Sequence, residues 1–297
     1  HRDLHSFPTR RSSDLVSENG LLSRTEGDKP NRLGGEVAPW SMIRTNTHQT
    51  VFLVTTEGKA AAISSYSVPV QRAEEEGVPA SKVAPLHKDD ILQGVFAVPI
   101  NGEADKECYV VTLTRQGMIK RSAVADLPGA SASAFTLVKV NENDELFEVL
   151  LTRGDQDLLL VTAAGMAIRF NENEVRSMGL VAAGVNAIKL KPGDYVIGAA
   201  AVDDKDEVAL LTQKGLAKRA VGAEYPLQGR YGQGVIAWKL DKDDQVSASI
   251  VGKLTDRGLC HFRKSASKVF TITNAISRKR ASIGQVMFTL QAGAAIN

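Results

Sequence analysis

The chain has 297 residues, 43% of them apolar, with 36 Lys plus Arg against 34 Asp plus Glu. This composition allows a sizeable core and excludes both wholesale disorder and a strongly basic, histone-like protein, so any polyanion-binding face must come from local clustering of charge. Apolar stretches such as residues 196–202 fall far short of the roughly 18 residues of a membrane helix, and two distant cysteines, Cys108 and Cys260, exclude a disulfide scaffold and point to a reducing compartment.

The opening HRDLHSFPTRRSSDL (1–15) has no apolar run and is not a secretory signal. Its part SFPTRRSSDL looks like the translation of a DNA-sequencing adapter. Residues 1–15 are therefore expected to be non-native or disordered, with genuine sequence from about Val16 and a truncated first repeat. From there one pattern recurs: VSENGLLSR (16–24), VFLVTTEGKAAAIS (51–64), YVVTLTRQGMIKRS (109–122), LLLVTAAGMAIRF (158–170), VALLTQKGLAKRA (208–220) and GKLTDRGLCHFRK (252–264). Each places Ser or Thr three residues before a glycine: Gly20, Gly58, Gly117, Gly165, Gly215 and Gly258. A β-branched apolar run, a short polar turn and a second run read as a β-hairpin, with glycine where positive φ is needed.

A second element follows the hairpins. VAPLHKDDILQGVFAV (83–98), AFTLVKVNENDELFEVL (134–150), GVNAIKLKPGDYVIGAAAV (184–202), GVIAWKLDKDDQVSASIV (234–251) and GQVMFTLQAG (284–293) each read as strand, polar turn, strand. Helical signal is weak: only short runs such as QRAEEEG (71–77) and residues 171–177 read as locally helical or loop-like. The expected fold is all-β: a six-bladed, propeller-like ring of four-stranded antiparallel sheets spanning residues 16–297. A solenoid or a stack of sandwiches would also repeat strand pairs, but a ring hides the sheet edges that an open array exposes.

Cations recur just after the hairpin glycine: Arg24, Lys59, Lys120, Arg121, Arg169, Lys218, Arg219, Arg263 and Lys264. Repeated once per blade, they are expected to form a basic belt suited to the phosphates of a regular polyanion. The alternative is a set of solvated lysines protecting strand edges. Glycine-rich segments NRLGGEV (31–37), SMGLVAAGV (177–185), QGRYGQGV (228–235) and RASIGQV (280–286) read as connections between blades. Catalytic constellations are absent. Cys260 and His261 are adjacent on a strand and point to opposite faces, and acidic runs such as 203–207 and 241–244 read as solvated turns rather than metal sites.

On these motifs the chain resembles the C-terminal domain of the DNA gyrase A protein. The T-x-x-G-x-x-K/R hairpins and the G-V-x-A-I-K-L and G-D-x-V elements carry the resemblance over about residues 16–290. It implies a β-pinwheel, in which neighbouring blades exchange strands, and double-stranded DNA wrapped on a basic rim to direct negative supercoiling. It implies as partners the gyrase B protein and the N-terminal part of the gyrase A protein in a two-plus-two complex, in the bacterial cytoplasm at the nucleoid, with no membrane. The ATP and Mg²⁺ of that holoenzyme belong to other domains, as does the catalytic tyrosine, so this domain needs no cofactor or metal of its own. The family's box, Gln-Arg-Arg-Gly-Gly-Lys/Arg-Gly, falls on Asn31, Arg32, Leu33, Gly34, Gly35, Glu36 and Val37. Arg32, Gly34 and Gly35 are kept, whereas Leu33, Glu36 and Val37 depart from it. Residues 228–234, with Arg230, are a partial echo. The eroded box leaves the paralogous topoisomerase IV protein as an alternative, and near-zero net charge leaves a protein-binding propeller as another.

Overall fold

The computed structural model describes residues 11–17, 20–26, 39–46, 48–70, 77–99, 108–130, 133–262 and 265–289. The first repeat forms a hairpin of β1 (Arg11–Ser17) and β2 (Leu21–Glu26), followed by β3 (Pro39–Asn46). The second forms β4 (Gln49–Thr55) and β5 (Lys59–Ser64), the two-residue β6 (Val78–Pro79) and β7 (Leu92–Pro99). The same order returns as β8 (Tyr109–Thr114), β9 (Met118–Ala123), β10 (Phe135–Thr136) and β11 (Leu146–Thr152). It returns again as β12 (Asp157–Thr162), β13 (Met166–Asn171), β14 (Val185–Asn186) and β15 (Val196–Val202). The fifth repeat gives β16 (Glu207–Thr212), β17 (Leu216–Val221), β18 (Val235–Ile236) and β19 (Val246–Gly252). A sixth hairpin, β20 (Arg257–Phe262) and β21 (Ser265–Thr271), precedes β22 (Gln285–Val286).

The sheets do not follow the repeats. Their orders are β3-β1-β2-β6, β10-β5-β4-β7, β11-β8-β9-β14, β15-β12-β13-β18 and β19-β16-β17-β22, with β20-β21 as a two-stranded sixth. The hairpin and the long strand of each four-stranded sheet are local. The fourth, two-residue strand arrives from beyond the next hairpin: β10 pairs β5, β14 pairs β9, β18 pairs β13 and β22 pairs β17. This is the strand exchange of a β-pinwheel. The long strands β3, β7, β11, β15 and β19 pack against one another in succession, so they form the inner side of the array. The exchanged strands lie at the opposite, outer edge of their sheets.

The Thr-x-x-Gly signature is explained by this exchange. Thr55, Thr114 and Thr162 are buried at the turn, and their hydroxyls accept from the backbone N–H of Lys59, Met118 and Met166 at 3.2, 3.1 and 3.3 Å. The glycine takes positive φ, +77° at Gly58 and +75° at Gly165. Its carbonyl then accepts from the incoming segment: Leu137 and Val138 on Gly58, Ala187 on Gly117, Ala237 and Trp238 on Gly165, Met287 and Phe288 on Gly215. A Cβ at Gly165 would lie 2.8 Å from the Trp238 carbonyl oxygen. Gly165→Val is therefore expected to cost about 2–4 kcal/mol from backbone strain and a displaced latch, read as a lowered urea midpoint.

The cores lie between successive sheets. Phe52, Val54 and Ala62 of the second sheet meet Val110, Leu137 and Leu146 of or beside the third. Val111, Leu113 and Ile119 meet Leu158, Leu160 and Phe170; Leu159 and Val161 meet Val208 and Leu210. Central strands are thus buried on both faces, which is why 158–161 reads as a continuous apolar run rather than an alternation.

Three expectations are corrected here. Residues 11–15 lie in β1, with 12–15 paired on both sides, so the first sheet has four strands and is not truncated. A strand's main chain can satisfy its neighbours' hydrogen-bonding groups whatever its side chains, so composition did not show this. Gly258 is not a turn glycine: it lies within β20 opposite Phe270, in a hairpin that pairs Phe262 with Ser265 at its far end. The Thr255–Gly258 match belongs to the turn before the hairpin, where Lys253 N–H bonds Asp256 as Asp203 N–H bonds Asp206 one repeat earlier. The blade is not a local unit of two hairpins, because its outer strand is borrowed. Residues 71–76, expected to be helical or loop-like, lie outside the described residues, whereas Glu172–Glu174 form a 3-10 turn.

Glu148 is an oddity of the inner strands. It opposes Leu113 just past a register shift, where β7, β15 and β19 place Gly94, Gly198 and Ala248. Burial pushes its carboxyl up to about 7, against the pull of the Val149 N–H and Arg115. A folded-state value above the unfolded one means no penalty below about pH 4.5, a growing one as the pH rises towards 7, and the full penalty above it. Glu148→Gln is expected to gain on the order of 2 kcal/mol at pH 8 and little at pH 4.5, measured by denaturant titration at both.

Candidate nucleic-acid interface

The second hairpin strand carries most of the cations singled out in the sequence, and it runs through the sheet interior. Arg24, Arg121, Arg169 and Arg219 share one repeat position, each bridging in parallel to the segment that leads into its sheet's exchanged strand, at Val70, Ser177, Leu227 and Ser277. The first three are at most 9% exposed. Arg24 Nε donates to the Val68 carbonyl at 2.7 Å. Arg121 donates to Asn173 Oδ1 at 3.0 Å, lies 3.6 Å from the buried Glu172 carboxylate and stacks on the Tyr109 ring. Arg169 is held by Asp157 at 2.8 Å and Asp204 at 2.7 Å, and donates to the Gly222 carbonyl at 3.1 Å. Arg219 pairs with Glu207 at 3.2 Å.

Lys120 and Lys218 are each 1% exposed. Lys120 Nζ donates to the carbonyls of Leu137 and Leu180 at 2.5 and 2.6 Å. Lys218 Nζ donates to the carbonyls of Lys279 and Arg280 and lies over the Trp238 ring. Burial pushes both ammonium groups down to about 8, while the carbonyl acceptors favour the charged form. Lys59 pairs with Asp90 at 2.9 Å. The exposed belt expected at these positions is therefore not formed there. Strands covered on both faces leave these cations little access to solvent, so Arg24, Lys120, Arg121, Arg169, Lys218 and the partly buried Arg219 act as internal clamps on the exchanged segments. Arg32, Arg263 and Lys264, with the box-like Asn31, Gly34 and Gly35, lie outside the described residues.

Exposed positive charge gathers instead on the outer side. Lys139, Lys189 and Lys239 are exposed and recur every 50 residues, just past the outer strands of three successive sheets. Arg176 is exposed on the loop leading to β14, and Arg278 and Lys279 on the loop leading to β22. Arg230, expected from the sequence, is partly exposed on this rim, and Arg280 is its counterpart one repeat later. Their backbone N–H groups donate to Glu174 and Glu224 at 2.6 and 2.5 Å. Their guanidinium groups reach the carbonyls of Asn186 and Ile236 on the outer strands β14 and β18. Lys139, Lys189 and Lys239 were missed in the sequence, although the signal was there: one lysine at a fixed place in three copies of the A-x-K-L-type element.

The acidic runs also have roles within the fold. Asp144, Asp194 and Asp244 accept from the backbone N–H of Gln116, Ala164 and Lys214, capping the turn of the preceding hairpin in the same sheet at 2.9, 2.9 and 3.3 Å. Among the described residues no group of His, Cys, Asp and Glu is arranged to hold a metal ion, and no helix is long and apolar enough to cross a membrane. Cys260 is buried, and burial pushes its thiol up to about 12, so it is no nucleophile at neutral pH.

A family model described as "DNA gyrase C-terminal domain, beta-propeller" matches residues 49–99, 109–153, 156–203 and 206–252. The DNA gyrase A protein of Staphylococcus epidermidis is 34% identical over 197 residues, covering 65% of this chain and 22% of that protein. Its counterpart in Staphylococcus aureus strain MRSA252 is 32% identical over 196 residues, with the same coverage. The chain thus spans about a fifth of the length of these relatives. Among solved structures, the C-terminal domain of DNA topoisomerase IV superposes with a TM-score of 0.83 at 23% identity, covering 97% of this chain and 92% of that one. The DNA gyrase A C-terminal domain superposes at 0.74 and 19% identity, covering 96% and 97%. With four tandem matches over well over half its length, the chain belongs to the family of the DNA gyrase C-terminal β-propeller domain.

Proposed function

We propose that the chain binds duplex DNA along its outer rim and bends it, as the C-terminal domain of the DNA-cleaving protein of a type IIA topoisomerase. The observation that carries this reading is the row of exposed Lys139, Lys189 and Lys239, one per blade, flanked by Arg230 and Arg280. Cations at a fixed place in successive repeats suit a ligand whose charges are themselves regularly spaced, and backbone phosphates carry no sequence information. Curving DNA over a small protein costs several kcal/mol, on the order of 1–6 by elastic arguments, which favours many phosphate contacts over a few base contacts. The chain's own residues do no bond chemistry in this reading. Strand passage, ATP hydrolysis and Mg²⁺ belong to the N-terminal part of the gyrase A protein and to the gyrase B protein, the partners in a cytoplasmic holoenzyme. Sequence similarity to gyrase A proteins favours gyrase; the departures at Leu33, Glu36 and Val37 favour the topoisomerase IV paralogue.

The test is titration with long duplex DNA at several salt concentrations, with a parallel assay of writhe trapped by ligase on relaxed circles. With six to ten phosphate contacts, affinity should fall about 10³–10⁵-fold between 50 and 200 mM salt. A flat salt response, or no binding at low salt, would overturn the reading. Binding without trapped writhe would leave a DNA-binding domain that does not wrap.

A further inference from the structure

On the rim loop of residues 228–234, Tyr231 is 51% exposed and has φ of +66°. Among the described non-glycine residues only Tyr231 and Asn143 have positive φ. A bulky aromatic in the left-handed region is strained, and such strain persists only where the surroundings impose it. They do so here. Gln228 N–H donates to the Arg169 carbonyl at 2.8 Å, Arg230 N–H to Glu174, Tyr231 N–H to the Ala187 carbonyl at 2.7 Å, and Lys189 N–H returns to the Gly232 carbonyl at 2.9 Å. The loop is therefore latched to β13, to a 3-10 turn and to the segment after β14, and its tip is held rather than loose.

The same rim position is Val181 one repeat earlier, 69% exposed, and Ala281 one repeat later, also exposed. Neither has positive φ. An apolar tip thus recurs among the rim cations, and in the middle copy it is a ring, presented beside Arg230 by a strained backbone. A buried role is excluded by exposure, and stabilisation of the fold is excluded as a reason for tyrosine because glycine or asparagine would suit that backbone better.

We infer that Tyr231 is an aromatic DNA-contact residue, its ring packing on deoxyribose and base edges of a duplex held by Arg230 and Lys189. The inference rests on the DNA-binding reading above. A ring of this kind adds an apolar, salt-insensitive part to a binding otherwise governed by counterion release.

Tyr231→Gly, Tyr231→Asn and Tyr231→Phe are compared with the unaltered chain on one long duplex from 50 to 200 mM salt, with thermal melts of each. Tyr231→Gly and Tyr231→Asn are expected to bind about tenfold more weakly at every salt concentration with an unchanged log–log slope, and to melt no lower than the parent. Tyr231→Phe should bind as the parent does. Parent-like binding by both Tyr231→Gly and Tyr231→Asn overturns the inference and leaves the DNA reading standing, as does a loss for Tyr231→Phe as large as for Tyr231→Gly. Failure of the unaltered chain to bind overturns the DNA reading itself.

Discussion

Arg169→Ala is expected to destabilise the fold by about 2–4 kcal/mol, because it leaves the half-buried Asp157 and two carbonyls facing a vacated, largely buried position, the exposed Asp204 adding little. The guanidinium is gripped by Asp157, Asp204 and the carbonyls of Gly222 and Tyr225. It ties β13 to the start of the next hairpin and to the turn after β17, so its loss loosens two sheets together. Arg169→Lys should recover part of the loss, since one ammonium cannot replace a fork that reaches both acids. Denaturant titration gives the stability, and DNA titration of the folded fraction should keep the parent's salt slope. An Arg169→Ala chain that is as stable as the parent but binds DNA weakly would restore the role as a phosphate contact that its burial argues against.

Reversing Lys139, Lys189 and Lys239 to Glu should do the opposite: a fold of nearly parental melting temperature and a large loss of DNA affinity. Removing three phosphate contacts lowers the magnitude of the salt slope by about 2.7, and with added repulsion the affinity at 100 mM salt should fall on the order of 10³-fold. The three lysines are exposed on successive blades, so their effects should be nearly additive in free energy. Single reversals that each abolish binding would overturn the additivity, and a triple reversal that binds as well as the parent would place the DNA elsewhere on the molecule.

The architecture was legible in the sequence because its signals are local. Thr55, Thr114, Thr162 and Thr212 sit three residues before glycines that must take positive φ, and that chemistry repeats wherever the turn does. The exchange of the outer strands was not derivable from the residues themselves; it entered only through the family resemblance. β10, β14, β18 and β22 are two residues long, and their pairing is a matter of which turn carbonyl they reach. The functional surface was misread for a related reason. Lys120, Arg121, Lys218 and Arg219 follow the turn in an obvious pattern, and a charge in a strand is ordinarily read as exposed. In this fold the same strand is enclosed on both faces, so those cations find carbonyls and carboxylates inside. Lys139, Lys189 and Lys239 sit in a less conspicuous element and yet reach solvent. The sixth repeat was misregistered at Gly258 because one Thr-x-x-Gly match, unaided by pairing, cannot distinguish a hairpin turn from the turn before it.

The borrowed outer strands set a timetable for a chain emerging from the ribosome. β5 has no partner on its outer side until Phe135–Thr136 has been made, and β9 waits likewise for Val185–Asn186. Each of the five four-stranded blades therefore stays unfinished while the following hairpin is synthesised, and nascent structure trails translation by one repeat. A ribosome stalled inside any hairpin should present a single protease-sensitive blade behind it, with the blades further upstream already closed.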